Sequence, residues 1–121
     1  MIVADANIWI DHLRAADARL GALALIRQVA IHPYTIGELA LGSFADRRAL
    51  FRELGRFPYA PAARHDEVLR LIENEQLFGT GIDYVDTHLL ASARLLSDGR
   101  LWTRDKRLHA VAARLGLAYD P

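Results

Sequence analysis

The sequence predicts an α/β fold, a three-layer α/β/α sandwich on a short parallel central sheet. Short apolar or β-branched runs alternate with amphipathic helical stretches from one end to the other, which is the pattern a parallel sheet with helical crossovers requires. Capping residues and glycine stops punctuate the alternation. Size is the third observation: 121 residues, 52% hydrophobic and 25% charged, suit one globular domain, residues 1–121, with one core. No repeat, low-complexity tract or linker divides it.

Ile2-Val3-Ala4 reads as a short buried strand and Asn7 to Leu13 as the helix after it. From Asp17 the spacing of Leu20, Leu23, Ala24 and Ile26 is helical, and Val29-Ala30-Ile31-His32 changes to a strand closed by Pro33. Thr35 to Leu41 opens with a capping-box pattern, Thr35 with Glu38, and ends at Gly42-Ser43. Asp46 to Leu54 is a further helix stopped by Gly55, and Phe57 to Pro61 is an extended connector or edge strand. His65 to Leu77 repeats the helical period, and Gly79-Thr80-Gly81 makes a loop. Asp83 then caps a long helix that reaches the Ser97-Asp98-Gly99 turn. Arg100 to Thr103 is strand-like, Lys106 to Leu115 is the last helix, and Leu117-Ala118-Tyr119 follows Gly116 as a last strand.

Composition removes several function classes. Without a cysteine there is no disulfide framework, thiolate zinc site, iron-sulfur cluster or cysteine nucleophile, so a metal must be held by oxygen or imidazole. Met1 to Asp5 does not resemble a secretory signal, and no apolar stretch is long enough to span a bilayer; a cytoplasmic protein without a membrane partner is expected. Fifteen basic and fifteen acidic residues cancel, so any phosphate binding has to be local.

Four acids fall at comparable places. Asp5 follows the first strand, Glu38 lies one turn into the helix after the second, and Asp105 follows the strand ending at Thr103. Asp86 sits in the first turn of the long helix. The carboxyl ends of parallel strands share one edge, so residues at these junctions converge although they are distant in sequence. Capping accounts for each acid taken singly: Asp5 and Asp105 as N-caps, Glu38 in its capping box, Asp86 three residues after Asp83. Both readings stand, although Asn7 beside Asp5 is itself an adequate cap. If the four acids converge, like charges about 4 Å apart repel by roughly 4 kcal/mol at an effective dielectric near 20. They must then take up protons or gather a divalent cation. With oxygen the only donor, Mg²⁺ or Mn²⁺ is the expected ion, and an open site of that kind hydrolyses phosphodiesters.

Four segments share one likeness: Ile2-Val3-Ala4-Asp5-Ala6-Asn7, Ile36-Gly37-Glu38-Leu39, Val85 to Ala93 (Val-Asp-Thr-His-Leu-Leu-Ala-Ser-Ala), and Leu101 to Leu108 (Leu-Trp-Thr-Arg-Asp-Lys-Arg-Leu). In order and spacing they resemble the PIN-domain ribonucleases, and within them the VapC-type toxins of bacterial toxin-antitoxin pairs. The resemblance implies a PIN-like sandwich in which Asp5, Glu38, Asp86 and Asp105 hold Mg²⁺ or Mn²⁺ and cleave RNA. Asp5 and Asp86 are the expected direct ligands, Glu38 and Asp105 complete the pocket directly or through water, and Asn7 and Thr103 support it. By analogy, cleavage leaves a 5′-phosphate and a 3′-hydroxyl. A homodimer, a cognate antitoxin and transfer RNA as a first candidate substrate are further implications. Asp83 departs from the glycine often found there in similar sequences, and it is read as a helix cap rather than a fifth ligand.

Arg104, Lys106 and Arg107 beside the acids are candidates for phosphate contacts, against ordinary solvated charge. Trp9 and Trp102 are expected in the core rather than stacked on a base, the histidines in core or surface roles, and Asp11 as a surface charge. Two rival functions remain. One is a catalytically silent PIN-like module that binds RNA or protein. The other is a Mg²⁺-dependent phosphoacceptor signalling domain, disfavoured because Ala4, not a second acid, precedes Asp5.

Overall fold

Three short strands pair in parallel at the centre of the computed structural model, which describes residues 1–121. Strand β1 (Ile2–Ala4) lies between β2 (Val29–Ala30) and β3 (Arg100–Trp102), with Val3 opposite Ala30 and Leu101. Single parallel bridges widen the sheet at both edges, Ile31 to Tyr59 and Leu101 to Ala118. The expected last strand is therefore reduced to one bridge. It is held by Leu101 N–H to the Leu117 carbonyl (2.7 Å) and Tyr119 N–H to the Leu101 carbonyl (2.9 Å).

Seven helices cover the sheet: α1 (Ala6–Arg14), α2 (Ala18–Leu25), α3 (Pro33–Ala40), α4 (Arg47–Leu54), α5 (His65–Asn74), α6 (Tyr84–Leu95) and α7 (Lys106–Arg114). The period-two alternation of the strands sorts them into two layers. Ile2, Ala4, Val29, Ile31 and Trp102 face Ile8, Trp9, Leu20, Leu39 and Leu54 of α1 to α4. Val3, Ala30 and Leu101 face Val68, Leu71, Leu89, Leu90, Leu108 and Val111 of α5 to α7. The sandwich expected from the sequence is thus formed, its interior divided by the sheet. Both tryptophans are buried as expected. No helix is long and apolar enough to cross a membrane.

Most helix starts follow the sequence signals: Asp17, Asp46, Asp83 and Asp105 are N-caps, each accepting a backbone N–H. The α3 start does not. Thr35 is not its cap, because Pro33 occupies the first turn, where its fixed φ and missing N–H are tolerated. His32 is the cap, and its Nδ1 accepts the Tyr34 N–H at 2.9 Å. The strand predicted through His32 correspondingly stops earlier. Asn7 is likewise not a cap but a residue of α1, started by Asp5.

Candidate active site

All three strands end on one edge of the sheet. Asp5 leaves β1 there, and its N–H is held by the Trp102 carbonyl at 2.9 Å, one residue before Thr103 leaves β3. Asp5 is buried, with 8% of its surface exposed. Its Oδ1 accepts the Ala6 N–H at 2.7 Å, and its Oδ2 accepts the Thr103 hydroxyl at 2.7 Å and Asn7 Nδ2 at 3.3 Å. Thr103 Oγ1 in turn accepts Asn7 Nδ2 at 3.3 Å and the Asp105 N–H at 3.1 Å, while Asn7 Oδ1 accepts the Arg104 N–H at 3.2 Å. Asp5, Asn7, Thr103 and Asp105 thus belong to one hydrogen-bonded unit that joins the first junction to the last. Thr103→Val removes the hydroxyl that both donates to Asp5 and accepts from its neighbours. It is expected to destabilise the fold by about 1–3 kcal/mol and push the Asp5 carboxyl further up. Chemical denaturation and titration of Asp5 check this; unchanged stability contradicts it.

Asp86 enters from the opposite helical layer. It forms a reciprocal capping box with Asp83, donating its N–H to Asp83 Oδ1 at 2.8 Å while its Oδ2 accepts the Asp83 N–H at 3.1 Å. Asp105 Oδ1 caps α7 by accepting the N–H groups of Arg107 and Leu108 at 2.9 and 3.0 Å. Capping and proximity are therefore not alternatives, since Asp5 and Asp105 cap helices and Asp86 completes the capping box of a third, near enough for their charges to act on one another. Glu38 makes no cap bond, which removes the capping-box reading for it.

The acids sense one another. Burial pushes the Asp5 carboxyl up, opposed by its bonds to Thr103 and Ala6 and reinforced by the charges of Asp105 and Asp83. Asp86 is pushed up to about 6, by burial first and then by Asp83, Asp5 and Asp105. Glu38 is raised by desolvation, then by Asp5 and Asp83. None of these five acids has an ion-pair partner. Asp83, read from the sequence as a cap only, also adds to the negative field.

This donor set fits a hard divalent cation: it is all oxygen, and its charge is uncompensated. No three acidic or histidine side chains are gathered tightly enough to hold an ion by themselves. Water must complete any coordination shell, as Mg²⁺ usually requires.

The basic rim is uneven. Arg104, one of the expected phosphate contacts, has its guanidinium tied to Asp11 at 2.5 Å and Asp17 at 3.7 Å. Lys106 and Arg107 are exposed and form no ion pair. The Arg107 stem lies across Gly81, where φ is +85° and an added Cβ would sit 2.9 Å from Arg107 Cδ. A side chain at position 81 would thus meet backbone strain and would displace the Arg107 side chain.

Sequence reasoning missed the surroundings of His32 and His88. Both imidazoles are fully buried, and desolvation holds both below the ordinary histidine range, His32 at about 4. His32 Nε2, both His88 ring nitrogens and Thr35 Oγ1 have no hydrogen-bond partner within the protein. Tyr34 and Tyr84 each pack against His88 with ring centroids 4.7 Å apart.

The family model of the PIN domain matches residues 2–114, and the chain belongs to that family. Within it the chain groups with the VapC-type ribonucleases. It is 48% identical over 118 residues to Ribonuclease VapC32 of Mycobacterium tuberculosis, in strains CDC 1551 / Oshkosh and ATCC 25618 / H37Rv alike, covering 98% of this chain and 95% of that protein. Among solved structures, PAE2754 from Pyrobaculum aerophilum superposes with a TM-score of 0.60 at 26% identity, over 92% of this chain and 85% of that one.

Proposed function

We propose that the protein is a Mg²⁺- or Mn²⁺-dependent endoribonuclease, the toxin of a cytoplasmic toxin-antitoxin pair. The observation that carries this reading is the set of five acids without cationic partners at the carboxyl edge of the sheet, three of them with raised carboxyls. Membership of the VapC-type group supports it. Asp5 and Asp86 would hold the ion, with Glu38 and Asp105 completing its surroundings directly or through water. A divalent ion held there would supply Lewis-acid activation of water and of the phosphate for phosphodiester hydrolysis.

The remaining steps belong to the chain's own side chains. Thr103 and Asn7 orient Asp5 by the bonds described above. Lys106 and Arg107 attract the phosphate backbone toward a cleft that would otherwise repel it. Histidine pairs take no part, since His32 and His88 are buried and held neutral. Attack by water then leaves a 5′-phosphate and a 3′-hydroxyl. A cognate antitoxin, a homodimer and transfer RNA as substrate complete the proposal.

The direct test is cleavage of RNA by antitoxin-free protein with Mg²⁺ or Mn²⁺ and its loss in excess EDTA; cleavage that persists in EDTA contradicts the reading. A silent RNA-binding module is the second reading, favoured by the spread of the carboxylates. It requires RNA binding with no cleavage in either metal. Replacing Lys106 and Arg107 by Ala is expected to weaken RNA binding and lower the salt slope by about one for each phosphate that is no longer held. A slope equal to the wild type's returns both residues to solvated charge.

A further inference from the structure

The edge that carries the acids has two different borders. Beside β3 lie Lys106 and Arg107. Beside β2 runs a chain of rings that joins the two helical layers: His32, Tyr34, His88, Tyr84 and His65, with successive centroids 4.9, 4.7, 4.7 and 5.6 Å apart. His32 follows β2, Tyr34 lies in the first turn of α3, Tyr84 and His88 in the first turns of α6, and His65 opens α5.

Burial differs along this chain. His32 and His88 are fully buried, whereas Tyr34 and Tyr84 are 43% and 41% exposed. Neither tyrosine is loose. Tyr34 packs edge-on against both buried imidazoles. Tyr84 packs against His88, and its hydroxyl shares a 2.6 Å hydrogen bond with His65 Nδ1. Rings fixed in place yet open to solvent lose little entropy when a ligand covers them. Both border the acids: Tyr34 is one helical turn before Glu38, and Tyr84 directly follows Asp83.

We propose that Tyr34 and Tyr84 form a stacking subsite for an unpaired nucleobase beside the acidic cleft, a deepening that rests on the ribonuclease reading. A cleft of five acids repels a phosphate chain, so affinity has to come from its borders. Stacking supplies affinity without charge, and every base offers a face for it. The imidazoles behind the tyrosines are fully buried, so this border presents aromatic rings to solvent rather than a cationic phosphate site. The two borders divide the work: Lys106 and Arg107 hold the backbone, and the tyrosines hold a base. Because stacking tolerates any base, it favours single-stranded or loop RNA over duplex without choosing a sequence.

The test is equilibrium binding in EDTA, where no cleavage competes, of labelled oligouridylate and of the same ribose-phosphate backbone without bases. Tyr34→Ala and Tyr84→Ala are each expected to weaken oligouridylate binding by roughly 5- to 150-fold and to leave binding of the abasic chain unchanged. Tyr34→Phe and Tyr84→Phe keep the ring and should retain most of the affinity, which separates stacking from a hydroxyl contact or a folding defect. Alanine variants that bind oligouridylate like the wild type, or lose equal affinity for the abasic chain, overturn the subsite. Base-dependent loss in a protein that cleaves no RNA in Mg²⁺ or Mn²⁺ supports the subsite while rejecting the nuclease reading.

Discussion

Asp5→Ala is expected to reduce RNA cleavage by more than about a hundred-fold while leaving a cooperatively folded protein. The expected loss is that large because Asp5 is the buried member of the acid set and the one whose position is fixed from several directions: Ala6 N–H on one oxygen, Thr103 and Asn7 on the other. Loss of a supporting partner of a metal ligand alone costs about 10- to 100-fold, and loss of a ligand should exceed that. Two effects on stability oppose each other. The variant gives up a helix cap, about 1 kcal/mol, and leaves Thr103 and Asn7 short of an acceptor. It also removes a buried charge that Asp105 and Asp83 repel. Asp5→Asn keeps an oxygen for the cap and serves as the second variant. Gel assays of cleavage and thermal melts by circular dichroism check both halves. Cleavage within ten-fold of the wild type in either variant removes Asp5 from the chemistry.

The second large effect is a pH-dependent response to divalent ions. Asp86 is raised to about 6 from an ordinary value near 4, and Asp5 and Glu38 are raised in the same direction. At these carboxyls the metal-free folded state therefore binds more protons than the unfolded state between about pH 4 and 6, and their contribution to stability falls as pH rises through that window; the buried His32 and His88, held below the ordinary range, contribute with the opposite sign. A cation that competes with those protons restores what is lost. Saturating Mn²⁺, about a hundred-fold over its Kd, should raise Tm by roughly 10 °C near pH 8 and by much less near pH 5. Scanning calorimetry at several pH values checks this. A shift equal at all pH values, or larger in acid, contradicts the assignment of these carboxyls to the ion.

Much of this was legible in the sequence, for identifiable reasons. Strand ends and helix caps are local signals, so β1, β3 and the Asp46, Asp83 and Asp105 starts could be read directly. The parallel order then put Asp5 and Thr103 on one edge. The α3 start departs from the sequence signal because the Thr35 and Glu38 pair matches a capping box while Pro33, two residues earlier, fits the first turn of a helix. Local patterns competed there, and proline in its favoured place prevailed. The ring chain left no sequence trace. It is assembled from residues 32–34, 65 and 84–88, and no periodicity links three segments that meet only in the folded chain. Arg104 shows a similar limit, since its partners Asp11 and Asp17 lie on the far side of the sequence.

Both tryptophans of the chain are attached to the backbone that carries Asp5. The Trp9 indole donates to the Ala4 carbonyl at 3.0 Å, and the Trp102 carbonyl accepts the Asp5 N–H. The Trp9 indole is thereby an internal optical probe: a change of charge at Asp5 is expected to reach this shielded fluorophore through the peptide unit that joins Ala4 to Asp5, and ultraviolet emission can follow it without any label.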